Sequence, residues 1–121
     1  ADRTAIEAAM QAYFDCLWTG NADLWRHKAF HPQAHMYGIM DGEAKDWPIG
    51  EVCDRIDARP SSKDYGTDRQ DHILAIDMTS PTSALVKCEV AVLDKYYRDL
   101  LTFLKIDGDW KIISKTFHQI S

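Results

Sequence analysis

Four side chains in this sequence, Tyr13, His35, Asp99 and His118, are of types that move protons or steady negative charge without a cofactor. An imidazole beside a carboxylate is the smallest general-base unit, and a phenol offers an O–H to an oxygen on which charge develops. Asp99 follows Arg98 at the expected start of a strand, from which it can face His118 on the next strand. A turn cap, or a pairing with a nearby Arg or Lys, is the alternative role for such an aspartate. His72 lies on another late strand and can converge with His35 and His118 at the same opening. Tyr37 and Trp47 flank an expected hairpin; each has a flat apolar body and a polar handle suited to stacking on a planar ligand, and packing accounts for them equally well. With Tyr13, Phe14 and His118 they make the expected ligand-binding set.

Metal and nucleotide chemistry lack comparable support. His27, His31 and His35 recur every fourth residue, the spacing that lines up imidazoles on a helix face. Pro32 must end such a helix near Phe30, which separates the three rings. Cys16, Cys53 and Cys88 are odd in number and widely spaced, and each sits in an apolar pattern, so they read as small buried thiols. A glycine-rich phosphate loop, a G-x-S-x-G elbow and an H-E-x-x-H pair are all absent from the sequence. No metal and no cofactor is expected. The formal charge of −5, with no basic run, argues against nucleic acid and anionic membrane surfaces as partners. No apolar stretch approaches the roughly 20 residues of a bilayer span, and no signal-peptide pattern opens the chain, so a cytoplasmic protein is the expectation.

The elements that must position these side chains can be read from periodicity. The 121 residues, 45% hydrophobic and 27% charged, suit a single domain spanning the whole chain. Ile6, Met10, Tyr13 and Leu17, widened by Ala9, Phe14 and Trp18, give a helix over residues 4–18, with Thr4 and Glu7 at capping-box spacing and Gly20 as its stop. Asn21 can cap a short second helix to about Ala29. A first strand over 35–40 follows, then an Asp41-Gly42 hairpin back through 43–47, then a third helix beginning at Pro48 whose Ile49, Val52, Cys53 and Ile56 share a face. Residues 57–69 read as a loop. Strands are expected over 72–79, 84–95, 100–106 and 110–119, with Tyr96–Asp99 linking two of them and Asp107-Gly108 as the last hairpin.

Helices first and antiparallel strands after predict an α+β fold, in which a strongly curved sheet wraps the long N-terminal helix and leaves a cone-shaped cavity at its open end. On the strand at 84–95, Ala84, Val86, Cys88, Val90 and Val92 share one face, while Leu85, Ala91 and Leu93 keep the other apolar. A second apolar face predicts a homodimer packed sheet to sheet. On the last strand, strict alternation places Trp110, Ile112, Ser114, Thr116 and His118 together, turning polar toward the cavity mouth, and sends Lys111 and Lys115 to the dimer rim or solvent.

The stretches AIEAAMQAYFDCLWTGNADLW, FHPQAHMYG and RDLLTFLKIDGDWKIISKTFH resemble the nuclear transport factor 2-like (cystatin-like) superfamily, most of all the subgroup named for lumazine binding. The resemblance implies a cone-shaped α+β barrel and a superfamily that includes ketosteroid isomerases, dehydratases and polyketide cyclases. Set against the isomerase pattern, Tyr13 matches the oxyanion tyrosine, Gly38 stands in place of the base, and the second oxyanion donor falls near Thr102. Two of three parts are missing, so that mechanism is not expected. The leading expectation is a small-molecule pocket for an apolar or aromatic ligand. Its alternatives are a dehydratase- or cyclase-like lyase with a histidine base, and a structural dimer whose cone is filled by Phe14, Trp18 and Met40.

Overall fold

The computed structural model describes residues 1–121. Helix α1 runs Asp2–Thr19 and buries Ile6, Met10, Tyr13, Phe14 and Leu17, the stripe that the periodicity marks. It begins before the expected capping box. Asp2 starts the helix and is held by the final hairpin, its Oδ1 accepting from Lys105 Nζ at 3.0 Å and Trp110 Nε1 at 3.2 Å. Gly20 closes the helix at φ 75°, where its N–H bonds the Cys16 carbonyl. The short second helix is a single π-helical turn, Trp25–Ala29. Arg26 ties it to α2 (Ile49–Ala58) through Asp54 and Asp57.

Six strands form one sheet: β1 (Phe30–Met40), β2 (Glu43–Pro48), β3 (Asp71–Ser80), β4 (Ser83–Val92), β5 (Lys95–Ile106) and β6 (Asp109–Gln119). Their spatial order is β2-β1-β6-β5-β4-β3, antiparallel except where β1 meets β6. The Asp-Gly pairs at 41–42 and 107–108 both take positive φ, which makes tight hairpin turns whose twist suits the flanking strands. The α+β cone around α1 is therefore as the sequence reads. A one-turn helix, α3 (Ser62–Tyr65), interrupts the expected loop; its buried Ser62 Oγ accepts from Leu93 N–H at 3.0 Å.

Three departures matter for the site. β1 already starts at Phe30, and Pro32 produces an irregularity between Phe30 and His35 instead of delaying the strand. The link between β4 and β5 is Leu93-Asp94, with Leu93 at φ 55°, so Tyr96–Asp99 lie inside β5 and not in a turn. On β6 the pairing passes from Thr102–Ser114 to Phe103–Ile112, which leaves Ile113 as an extra residue. Beyond this bulge the facing inverts. Lys115 and Phe117 point inward, while Thr116 and His118 point outward.

Candidate functional site

Under the mouth of the cone lies a cavity of about 200 Å³. About 150 Å³ suffices for benzene. Fourteen residues line it, ten of them hydrophobic; the other four are Arg55, Arg59, Asp99 and Lys115. Trp47 on β2 and Phe117 on β6 stack at 6.0 Å with an 8° angle between planes, forming a flat aromatic wall, and Tyr97 meets Phe117 edge-on. Gly38 makes that wall possible: a β-carbon there would lie 2.4 Å from the Phe117 ring.

At the base of this wall sits a buried polar trio from three elements. Asp99 on β5 is 1% exposed and Lys115 on β6 is 6% exposed. They are diagonal neighbours on the inner face, because Asp99 pairs with Phe117 and Leu101 with Lys115. Tyr13, one turn and a half from the end of α1, donates its O–H to Asp99 Oδ2 at 2.5 Å, and Lys115 Nζ lies 3.7 Å from the same oxygen. Asp99 Oδ1 has no hydrogen-bond partner. Lys115 Nζ is also held over the rings of Trp25, at 4.8 Å, and Tyr13, at 5.1 Å. Trp25 stacks on Tyr13 at 5.2 Å, and its Nε1–H donates to the Tyr13 carbonyl, so the π-helical turn fixes one wall of the trio.

Burial, reinforced by the neighbouring Asp99 carboxylate, pushes the Tyr13 phenol well above its ordinary range. Tyr13 therefore remains an O–H donor at neutral pH. A buried carboxylate–ammonium pair adds little net stability, since desolvation offsets most of the attraction. An orphaned carboxylate oxygen in such a pair is costly unless something else is meant to meet it. In chemical terms the site holds an acceptor for a proton, Asp99 Oδ1, next to a cation that can receive negative charge, Lys115.

The residues singled out from sequence divide between the two faces of the sheet. Asp99 and Trp47 line the cavity; Tyr13 is buried against Asp99, and Phe14 packs in the core beside Tyr13 without lining the cavity. His35, Tyr37 and His118 lie outside. His35 Nδ1 is 2.5 Å from Asp46 Oδ1 and its ring stacks on Tyr37, while Tyr37 and His118 border a shallow outer groove. His118 pairs with Arg98 across the ladder, so it cannot face Asp99. The expected Asp99–His118 pair is thus corrected: the β6 bulge turns His118 outward and puts Lys115 in its place. Thr102, at the expected second-donor position of the isomerase pattern, pairs with Ser114 and is not among the cavity-lining residues; the carboxylate that meets Tyr13 is Asp99. Of the fillers expected for a solid cone, Phe14 is buried in the core, Met40 lines the cavity and Trp18 sits under Arg69. Lys115, Trp25, Arg55 and Arg59 carry no sequence motif; only the Cβ facing, set by a bulge, marks Lys115.

A long helix wrapped by a bent six-stranded sheet with a cavity at its open end is the nuclear transport factor 2-like fold. It superposes on an NTF2-like protein of unknown function from Shewanella baltica with a TM-score of 0.86 at 23% identity, over 99% of this chain and 94% of that one. A second such protein, from Methylobacillus flagellatus, gives 0.85 at 25% identity over 99% and 93%. A ketosteroid isomerase-like protein from Erwinia carotovora gives 0.74 at 17% identity over 98% and 95%. The chain belongs to the family described as "Putative lumazine-binding", whose profile matches residues 1–118. It is also 36% identical over 116 residues to the aldolase FrzH of a Cladobotryum species, covering 94% of this chain and 88% of that protein. No helix is long and apolar enough to cross a membrane.

Proposed function

We propose that this protein is a cofactor-independent enzyme of aldol type, which enolises a small carbonyl compound in the cone cavity and makes or breaks the adjacent carbon–carbon bond. The observation that carries the reading is the buried Asp99, tied on one oxygen by Tyr13 and unpartnered on the other, with Lys115 alongside. The aldolase activity named for the FrzH relative supports the same chemistry.

In the forward direction Asp99 Oδ1 takes a proton from the carbon next to the substrate carbonyl. The C–H electron pair becomes the enolate double bond, and the carbonyl pair moves to oxygen, where Lys115 donates a hydrogen bond. The enolate carbon then attacks a second carbonyl, forming the C–C bond, and the resulting alkoxide takes the proton back from Asp99. Tyr13 keeps Asp99 oriented throughout and is a positioning residue. The apolar walls exclude water, which would otherwise screen the Lys115 charge.

The test is proton exchange. Phenylacetone and 4-phenyl-2-butanone are incubated with the protein in D2O, and loss of the α-proton signals is followed by NMR. Exchange faster than in buffer, lost in Asp99→Asn and retained in His118→Ala, is the expected result. No acceleration with either ketone, or an Asp99→Asn variant as fast as wild type, sinks the reading. Aromatic binding without exchange would leave a binding protein, which the stacked Trp47–Phe117 wall favours as the second reading. A homodimer is proposed through the outer sheet face, where Leu85 and Leu100 stay exposed; light scattering on the purified protein checks it.

A further inference from the structure

The charge of the cavity is opposite to that of the molecule. The chain carries 14 Lys and Arg against 19 Asp and Glu. The cavity lining carries Arg55, Arg59 and Lys115 against Asp99 alone. Lys115 is already matched with Asp99. Arg55 is partly matched: its Nη2 bonds Glu51 Oε1 at 2.9 Å, and its guanidinium lies 4.6 Å over the Trp47 ring. Arg59 has no carboxylate within ion-pair distance and no hydrogen-bond partner for its side chain, although every other arginine on α2 and the π-helical turn is paired. Apolar surroundings, which penalise its charged form, hold it below the ordinary arginine value. Arg59 is exposed as a whole and lines the cavity from its solvent-facing edge, so its guanidinium is free to pair with an anion that a ligand brings there.

We infer that the substrate carries a carboxylate, and that Arg59, with Arg55 as its neighbour one helical turn earlier, binds it at the α2 side of the cavity while the reacting carbonyl lies against Asp99 and Lys115. The class is an aromatic or branched apolar keto acid or similar carbonyl-bearing acid. Between the two ends, Trp47, Phe117 and Tyr97 supply the apolar wall that receives the body of the molecule. A carboxylate suits the site better than a phosphate dianion. One free planar guanidinium matches two carboxylate oxygens, whereas a phosphate would leave a second charge and a third oxygen in apolar surroundings. Arg59 is the C-cap residue of α2, in the extended conformation that a residue before proline adopts, and from there it joins the cavity lining.

This inference rests on the cavity being the substrate site, and its test is separable from the exchange experiment because it reads binding alone. Phenylacetate and the neutral phenylacetone are titrated into the wild-type protein and into Arg59→Gln by calorimetry, with thermal unfolding to confirm that the variant is folded. The acid is expected to bind wild type more tightly than the ketone, and Arg59→Gln to weaken the acid roughly tenfold or more while changing the ketone less than about twofold. Glu51→Gln, which releases Arg55 from its partner, is expected to strengthen acid binding. Equal binding of acid and ketone, an Arg59→Gln variant that binds the acid as wild type does, or no acid binding up to its solubility limit would each overturn the inference. Acid binding that depends on Arg59 but is accompanied by no proton exchange would retain this site and remove the enzymatic reading; exchange of the neutral ketone without any role for Arg59 would do the reverse.

Discussion

The inner face of the sheet at β5 and β6 and its outer face at β1 and β2 carry similar chemical groups in opposite surroundings. Inside, Asp99, Lys115 and Tyr13 form a carboxylate, ammonium and phenol cluster, with the first two 1% and 6% exposed and Tyr13 fully buried. Outside, His35, Asp46 and Tyr37 form an imidazole, carboxylate and phenol cluster whose histidine and aspartate side chains are 38% and 59% exposed. The outer cluster has the residue types more often associated with general-base catalysis. The inner one has the surroundings that make such groups useful: low dielectric, fixed geometry and a cavity at their side. Water screens the outer pair and leaves it a surface contact worth little, while burial couples the inner trio strongly.

This contrast is sharpest in the response to losing one charge. Lys115→Met is expected to destabilise the protein by about 3–5 kcal/mol, because Asp99 is left as an uncompensated buried carboxylate. Replacing both partners, as in Asp99→Leu with Lys115→Met, is expected to restore most of that loss. His118→Ala on the outer face is expected to stay within about 0.5 kcal/mol of wild type. Urea unfolding of the four proteins compares them directly; a Lys115→Met cost no larger than that of His118→Ala would erase the distinction between the faces.

A smaller effect tests whether the aromatic wall depends on Gly38. Gly38→Ala brings a methyl group against the Phe117 ring, whose displacement is expected to cost about 1–3 kcal/mol and to change the near-ultraviolet circular dichroism of the Trp47–Phe117 stack. An alanine tolerated without either change would mean that Phe117 has another resting place.

The smallest effect concerns the inner thiols. Burial pushes Cys16 up from 9.0 to about 12 and Cys53 up from 9.0 to about 11. In both, the folded state holds the proton more tightly than the unfolded chain does. Their contribution to stability is therefore complete below 9.0, and falls as pH rises from there through 11 and 12. Urea midpoints on either side of 9.0 should decline toward alkaline pH, and less so in Cys16→Ala. Disulfide reagents should label neither thiol without unfolding.

Much of the fold was legible because local signals agreed with the tertiary outcome. The stripe from Ile6 to Leu17 made α1, two Asp-Gly pairs made hairpins, and Pro48 led into an amphipathic α2. The site was less legible, for two local reasons. Leu93 accepts a positive φ that ordinarily favours glycine, held there by Ser62 and Thr67 from a different segment, so the true β4–β5 turn had only Asp94 as a turn signal and Asp99 was displaced into an apparent link. The extra residue at Ile113 inverts the alternation of β6, and periodicity alone cannot register a bulge. Together these two features exchange His118 for Lys115 as the partner of Asp99. Tyr13 was reached from sequence because it sits in an uninterrupted helix, where spacing and facing are reliable.

The most direct measurement is a titration of the isotopically labelled protein with phenylacetate, followed through its backbone amide NMR signals. The account predicts that the perturbed amides cluster at Arg59, Tyr97, Asp99 and Lys115, around the inner cavity. Perturbations confined to Tyr37, Asp46 and His118, along the outer groove, would contradict it and move the functional site to the other face of the sheet.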